Sequence, residues 1–429
     1  MKKYGKFYEV IRSGEKHTSR LTCLMITHRL PYPPDKGDRV RSFHILKALS
    51  QRFDIHLVTL VDQYSNPEHL EYLSRYCSKI YAADIRDRSR LYLATRSFIL
   101  HEPVTYSASH SSLLGRKVCN LTRKHSYDLL YMMSSGMIPY LSKVQKPARA
   151  TVMDFVDVGS AKWRNFDTLG SFYERFMHRR EAKILSSEEI KTAALTDLNL
   201  FVTDKETQLF NNLARQSGRN FRDFSTCTLE NGVDYSYWSQ GHSLPSPYTL
   251  PKSPVIIFTG AMDYKPNIQG VLNFVEKVFP QILQEVPSAQ FVIAGSSPTP
   301  EILKLVEKKT PHITVTGYIS DMRPWLAHAC VSVAPLKVAC GVQNKILEAM
   351  AAGTAVVSSP KAAQGLSFPG TSPFFVAGTS RAFAHAVSVL LKNKNIRDEI
   401  ALQASRKVIR FYSWEKRQRQ LISMIDHIL

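Results

Sequence analysis

Residues 331–359 read VSVAPLKVACGVQNKILEAMAAGTAVVSS, and this stretch decides the fold. The apolar run over 331–334 predicts a buried strand, the helical spacing of apolar residues over 343–352 predicts a helix, and 354–358 predicts a second strand. Gly353 closes the predicted helix, and the alanines before it allow the helix to pack closely on the following strand. The stretch therefore predicts one strand, helix, strand unit of a parallel sheet.

The same alternation of short apolar runs and helical periodicity continues on both sides of this stretch. This alternation occurs in two parts of the sequence of similar size, which are separated by a Pro- and Ser-rich segment that is typical of a linker. The predicted fold class is α/β, with two Rossmann-like domains and a C-terminal amphipathic helix. The predicted divisions are a polar leader over 1–20, an N-terminal domain over 21–234, the linker over 235–254, a C-terminal domain over 255–410 and the terminal helix over 411–429.

The composition of the 429 residues is that of a folded protein, with 44% apolar and 21% charged residues. The net charge of +20 favours anionic partners, and we expect a phosphorylated ligand or an anionic membrane surface rather than nucleic acid. The sequence has no run of about 20 apolar residues and no signal-peptide apolar region. Its six cysteines lack CxxC spacing, so we expect a cytoplasmic protein. Peripheral association with the inner face of the cell membrane is a further expectation.

The second predicted domain contains a candidate ligand site where the strand 331–334 leads into the next helix. Gly341 lies at the turn, and Glu348 lies about two turns into the helix, where its carboxylate can accept hydrogen bonds from ribose hydroxyls. Lys337 and Lys345 are cationic partners for a diphosphate. The alternative is an ordinary ion pair between Lys345 and Glu348, which are three residues apart on one helix face.

The first predicted domain offers a second loop, HRLPYPPDKGDR, directly after its first strand. Gly37 permits a close backbone approach and Asp38 can cap the next helix, so the loop either cradles a phosphate or acceptor or only shapes a turn. His28 and Asp154 are candidate acceptor-side residues or bases, although a lone histidine near a strand end is more often structural. No GxGxxG fingerprint is present, which disfavours a nicotinamide or flavin dehydrogenase.

Four segments together resemble glycosyltransferase family 4, the retaining enzymes of the GT-B architecture. They are PYPPDKGD at the first loop, ENGVD before the linker, FTGAMDYKPN after it, and the stretch that ends in GTAVVSS. The chain resembles more closely the sugar transferases of exosortase-associated exopolysaccharide loci, through THRLPYPPDKGDRVRS, MDFVDV and GVQNKILEAM. This resemblance implies two Rossmann-like domains that face a cleft, a nucleotide-sugar donor, a saccharide or lipid-linked acceptor, and no metal or other cofactor.

The resemblance also implies roles for individual residues. Glu348 would hold the donor ribose, Lys345 would act with it in catalysis near the diphosphate, and the backbone from Gly341 to Gln343 would meet the sugar. The implied donor-binding set is Gly37, Gly260, Lys265, Lys337, Gly341, Val342, Gln343 and Asn344. Cys340 stands where many family members have a glutamate, and Ala261 where they have an arginine, so Lys265 or Lys337 would have to compensate.

The resemblance implies retaining sugar transfer in exopolysaccharide biosynthesis. The alternatives are a non-catalytic GT-B protein that binds or scaffolds an assembly machine, which Cys340 favours, and a nucleotide-sugar epimerase, for which the sequence shows no suitable set of carboxylates. A further hypothesis is docking on an anionic membrane through RDRSRLYLATRSFIL, against the alternative of a basic helix packed on its own domain. In that segment basic residues alternate with apolar ones, namely Arg86, Arg88, Arg90 and Arg96 with Leu91, Leu93, Phe98 and Leu100.

Overall fold

The chain divides into two compact α/β units in a computed structural model. Unit 1 comprises Met1–Glu230 and Gln418–Leu429, and unit 2 comprises Asn231–Arg417. The structure describes residues 1–12, 20–35, 37–62, 66–86, 90–166, 172–218, 224–248, 253–307, 311–339 and 341–429.

Unit 1 is built on one twisted sheet whose strands β3 to β9 are all parallel to their neighbours. The strands are β1 Lys2–Tyr4, β2 Phe7–Ile11, β3 Leu21–Thr27, β4 Phe53–Val61, β5 Lys79–Asp84, β6 Leu129–Met133, β7 Ala150–Val156, β8 Leu198–Phe201 and β9 Thr226–Thr228. Their order across the sheet is β1, β2, β5, β4, β3, β6, β7, β8, β9.

Helices cover both faces of this sheet and form two apolar clusters with it. They are α1 Gly37–Ser50, α2 His69–Leu73, α3 Arg90–Ile99, α4 Val104–Ser109, α5 Ser112–Lys124, α6 Ile138–Leu141, α7 Gly159–Phe166, α8 Phe172–Ala193 and α9 Asp204–Gln216. Local signals position several of them; for example, the Thr203 hydroxyl accepts a hydrogen bond from the Glu206 amide at the start of α9.

The start of unit 1 differs from the prediction. The expected polar leader contains β1 and β2; β2 pairs antiparallel with β5, and β1 pairs with β2 to form the edge of the sheet. Tyr8 and Val10 are buried, whereas Phe7 and Glu9 are partly exposed and Ile11 is exposed, so β2 alternates and lacks a continuous apolar run.

Unit 2 contains a sheet in which all strands are parallel. The strands are β10 Val255–Thr259, β11 Gln290–Ala294, β12 Ile313–Gly317, β13 Val331–Ala334, β14 Ala355–Ser358 and β15 Phe375–Val376. Their order is β12, β11, β10, β13, β14, β15. Because the strands are parallel, their carboxyl ends lie at one edge, which we call the carboxyl edge.

The helices of unit 2 enclose a single apolar cluster around this sheet. They are α10 Tyr235–Trp238, α11 Lys265–Lys277, α12 Phe279–Glu285, α13 Pro300–Glu307, α14 Arg323–Ala327, α15 Asn344–Ala351, α16 Pro360–Ala363, α17 Ser380–Lys392, α18 Lys394–Tyr412 and α19 Trp414–Ile428. The terminal helix α19 begins in unit 2 and ends in unit 1, where Leu421 and Ile425 join the apolar core.

The boundary between the units falls after Glu230 and differs from the expected linker over 235–254. The described part of that segment packs on α14. Gly241 lies so close that a Cβ there would be 2.6 Å from the Arg323 carbonyl oxygen, and the Tyr248 hydroxyl donates to the Trp325 carbonyl. The Pro and Ser content of the segment therefore reflects irregular but packed chain.

None of the helices in the described ranges is both long enough and apolar enough to span a bilayer.

Candidate functional site

Two glycines shape the carboxyl edge of unit 2 where β10 and β11 end. Gly260 has φ +154° and Gly295 has φ +147°. A Cβ on Gly295 would lie 1.8 Å from the Gly260 carbonyl oxygen, so no other residue fits there without moving the backbone. These two turns bring the ends of β10 and β11 close together, and Gly260 stays partly accessible at the edge while Gly295 is buried.

Lys345 reaches this edge from the first turn of α15. Its Nζ donates to the Asn267 Oδ1 at 2.8 Å and lies 4.1 Å from the centre of the Phe258 ring. The Asn267 Nδ2 in turn donates to the Ala261 carbonyl at 2.9 Å. A Cβ on Gly260 would lie 3.1 Å from the same Nζ, which places the amine against the bare backbone of the turn.

Glu348 lies one turn further along α15 and is half-buried. Within the described part of the chain, its carboxylate has no hydrogen bond or ion pair, and Lys345 is bonded to Asn267 instead. The ordinary ion pair that the three-residue spacing allows is therefore not formed. Its carboxylate is left available to a ligand.

Burial changes the ionisation of both groups. It lowers the pKa of Lys345 to about 7, although the charge of Glu348 opposes this shift. It raises the pKa of Glu348 to about 7, although the charge of Lys345 opposes that shift too. Burial disfavours the charged form of both groups, so an ionic, hydrogen-bonding ligand would stabilise those charged forms.

The loop that leads into α15 contains the other predicted donor-binding residues of this region. Gly341 has φ +60°, and a Cβ on Gly365 would lie 1.9 Å from the Gly341 carbonyl oxygen, so the two backbones are in direct contact. Val342 packs partly against the core and Gln343 precedes the first helical residue. The Asn344 Oδ1 accepts from the Asn231 Nδ2 at 3.2 Å, while its own Nδ2 is buried without a partner among the described residues.

Two predicted cations, Lys337 and Lys265, are exposed near these elements. Lys337 follows β13, and Lys265 is the first residue of α11, whose N-terminus lies at the carboxyl edge. Cys340, which stands in place of a family glutamate, lies outside the described residues. The donor-binding roles assigned from the sequence stay predictions.

The sequence reasoning missed three residues at this edge. Asn267, which holds Lys345, is the last residue of the FTGAMDYKPN segment, and that position was its only signal. Tyr318 follows β12 and is 69% exposed. Tyr237 on α10 lies near Glu348. Burial is the largest cause of the raised pKa of Tyr237, followed by the charge of the neighbouring Asp321, and the charge of Glu348 adds to the shift.

The predicted loop of unit 1 forms a network of charges around Asp38. Its Oδ2 accepts from the Arg29 Nη1 at 2.7 Å and lies 3.1 Å from the His28 Nε2. Burial opposes ionisation of Asp38, but the hydrogen bond from His28 and the charge of Arg29 hold its pKa well below the usual range. Gly37 is the first residue of α1 and is exposed, so Asp38 lies inside the first turn and anchors His28 and Arg29.

Asp154 has no access to a substrate in this structure. Its carboxylate is 0% exposed, receives a forked pair of hydrogen bonds from Arg41, and accepts a further one from the Tyr131 hydroxyl at 2.7 Å. Arg41 also donates to the Leu229 carbonyl at 2.6 Å. This geometry argues against Asp154 as the base, because a buried, saturated carboxylate has no free lone pair for an acceptor.

The described residues contain no group of three or more His, Cys, Asp or Glu side chains that could hold a metal ion. The absence of a metal requirement stays a prediction.

Comparison with known proteins connects this edge to a family. Residues 253–393, which include Gly260, Lys345 and Glu348, match the family described as glycosyl transferases group 1. An uncharacterized 44.6 kDa protein in the cps region of Klebsiella pneumoniae is 21% identical over 417 residues, covering 89% of this chain and 94% of that protein.

Solved structures resemble the whole chain. Sucrose-phosphate synthase from Thermosynechococcus elongatus has a TM-score of 0.68 at 15% identity, covering 95% of this chain and 99% of its own. Anabaena HepE in complex with UDP-glucose has a TM-score of 0.64 at 13% identity, covering 94% of this chain and 99% of its own. The chain therefore has the two-domain α/β GT-B fold, as predicted.

Proposed function

We propose that this protein is a retaining glycosyltransferase that takes its sugar from a nucleotide-sugar donor bound at the carboxyl edge of unit 2. The glycosyl transferases group 1 match over residues 253–393 supports the reaction class. The likeness to HepE, a protein solved with UDP-glucose, supports a nucleotide-sugar donor.

One observation supports this assignment most strongly: Glu348 is half-buried without a described partner, one turn from an amine that Asn267 holds in place. In the proposed complex, the Glu348 carboxylate accepts hydrogen bonds from two ribose hydroxyls. The Lys345 ammonium, the exposed Lys337 and the amides at the N-terminus of α15 meet the diphosphate, since a helix N-terminus has a positive partial charge.

In the proposed reaction, Lys345 also acts on the transition state of sugar transfer. As the bond from the sugar to the diphosphate breaks, negative charge grows on the leaving oxygen, and Lys345 stabilises that charge. The acceptor hydroxyl attacks from the face that the diphosphate leaves and gives its proton to the leaving diphosphate oxygen. The configuration is therefore retained, and no covalent nucleophile is needed. We propose a saccharide or lipid-linked acceptor in exopolysaccharide biosynthesis, which the similarity to a cps-region protein supports.

The variant Glu348→Ala tests the donor site. Removing the carboxylate should weaken nucleotide-sugar binding about 10- to 100-fold, since a hydrogen bond to a charged group contributes about 1.5–3 kcal/mol. A panel of uridine, guanosine, adenosine and thymidine diphosphate sugars is first titrated by calorimetry to find the donor. Nucleotide release with that donor is then followed by mass spectrometry.

Glu276→Ala is the matched control, because Glu276 is an exposed glutamate on α11 of the same unit. This control should bind like the wild type. Full binding and turnover by Glu348→Ala would overturn the donor site. Tight binding of a nucleotide sugar by the wild type, without turnover for any acceptor, would favour the non-catalytic alternative.

Donor binding should also be coupled to proton exchange, with a proton taken up at pH 8 and a proton released at pH 6. At pH 8 the Lys345 amine, with its pKa near 7, is mostly neutral; a diphosphate raises this pKa, so binding takes up a proton. At pH 6 the Glu348 carboxyl, with its pKa near 7, is mostly protonated; hydrogen bonds from ribose hydroxyls lower this pKa, so binding releases a proton.

Calorimetry in two buffers of different ionisation enthalpy measures this exchange. The intact nucleotide sugar is the right probe, because its diphosphate does not titrate in this range. Equal heats in both buffers at pH 6 and pH 8 would contradict the prediction.

A further inference from the structure

Unit 1 displays three consecutive large apolar side chains at the end of α3. Phe98 is 40% exposed, Ile99 is 72% exposed and Leu100 is 53% exposed. Phe176 on α8 is 54% exposed. Single exposed apolar residues are normal on a protein surface, but a cluster of this kind marks an interaction site.

Hydrogen bonds fix the turn that displays this cluster. The Arg180 guanidinium of α8 donates to the Ser97 carbonyl at 2.9 Å, and the Ser97 hydroxyl donates to the Glu102 carbonyl at 2.6 Å. The buried Glu181 carboxylate accepts from the Val104 amide at 2.6 Å and so anchors the start of α4. The exposure of the apolar side chains therefore belongs to an ordered turn and is not due to fraying of α3.

Basic side chains of α8 adjoin the apolar cluster. Arg180 lies over the Phe98 ring, with its guanidinium carbon 4.6 Å from the ring centre. Phe176, Arg179, Arg180 and Lys183 are spaced three, four and seven residues apart and so lie on one face of α8. Glu174 lies two residues before Phe176 and projects from the opposite side of the helix. The sequence of α3 contains no acidic residue.

We propose that the end of α3 and this face of α8 form a docking surface for an anionic lipid bilayer. Aromatic and aliphatic side chains enter the boundary between headgroups and acyl chains, while adjoining cations meet the anionic headgroups. The cluster adjoins mainly basic side chains, and the nearby Glu102 carboxylate is paired with Arg96. This combination favours a lipid surface over a second copy of this chain, whose positive charges would repel. This surface is independent of the proposed sugar transfer.

Flotation with vesicles of phosphatidylcholine, with and without phosphatidylglycerol, tests the surface. The wild type should float with the anionic vesicles and dissociate as salt is raised. The triple variant Phe98→Ser, Ile99→Ser, Leu100→Ser should lower partitioning at least about tenfold, since each side chain loses part of its transfer free energy. The double variant Arg179→Gln, Lys183→Gln should lower partitioning into anionic vesicles about thirtyfold, since each cation contributes about 1 kcal/mol.

The matched control removes exposed apolar side chains elsewhere. Leu402→Ser with Ile409→Ser changes residues of α18 that are 51% and 39% exposed, and it should float like the wild type. Circular dichroism of every variant verifies that it is folded. Failure of the wild type to bind anionic vesicles, or unchanged binding by the triple variant, would overturn the proposal. Self-association that the triple variant abolishes, in the absence of vesicle binding, would assign the surface to a dimer instead.

Discussion

Replacing Lys345 with methionine is expected to lower kcat/KM for sugar transfer by about 10²- to 10³-fold, the effect typical of removing one preorganised donor to a developing negative charge. The amine is held by Asn267 at 2.8 Å and lies against the Gly260 turn, so no solvent reorganisation is needed as the diphosphate leaves. Methionine keeps most of the length of the side chain but lacks the amine that lies over the Phe258 ring, and it has no charge. The free energy of unfolding should stay the same or rise, because burial already disfavours the charged amine.

Lys277→Met is the matched control. Lys277 is exposed at the opposite end of α11 from the carboxyl edge, so this variant should keep wild-type turnover. Steady-state release of nucleotide, measured with the donor found by calorimetry, gives kcat and KM separately. A Lys345→Met enzyme within about threefold of the wild type would show that this amine does not face the leaving group.

Replacing Asp154 with alanine is expected to lower the free energy of unfolding of unit 1 by about 3–5 kcal/mol. The substitution leaves the fully buried Arg41 guanidinium without its carboxylate and also removes the acceptor of the Tyr131 hydroxyl. Urea denaturation followed by circular dichroism measures the loss. Nucleotide-sugar binding by unit 2, measured under conditions where the variant is folded, should be unchanged.

The double variant Arg41→Met, Asp154→Leu separates an ion pair from a catalytic role. Replacing both buried charges with apolar side chains should recover much of the lost stability, since removing one charge costs more than removing the pair. A stable but inactive Asp154→Ala protein would instead support the role of base that the sequence suggested.

The strands of the parallel sheets could be predicted closely from the sequence. The run before Thr259 is apolar throughout and the run before Ala334 is interrupted only by the small Ser332, because both faces of a central parallel strand are covered by helices. The helix over Asn344–Ala351 followed from its apolar spacing in the same way. Strand β2 lies next to the edge strand β1, and its alternation of buried and exposed residues was not distinguished from polar chain.

The candidate site was predicted in part. Lys345 and Glu348 could be recognised from the sequence because both lie on one short helix with a regular spacing. The choice between an ion pair and a ligand site depended on the contact of Lys345 with Asn267, which is 78 positions away in the sequence. For Asp154, the sequence alone suggested a role that the packing does not support. An aspartate at a strand end suggests chemistry, and its burial against Arg41, 113 positions away, follows only from the packing of β7 and α1.

The terminal helix makes unit 1 discontinuous in the chain. Its sheet and most of its helices precede Asn231, yet Leu421 and Ile425, which complete one of its apolar clusters, follow all of unit 2. During synthesis the ribosome therefore releases the last part of the unit 1 core only after unit 2 has emerged. Unit 2 can fold while the chain is still being translated, whereas unit 1 must keep an apolar groove open until its C-terminal residues arrive.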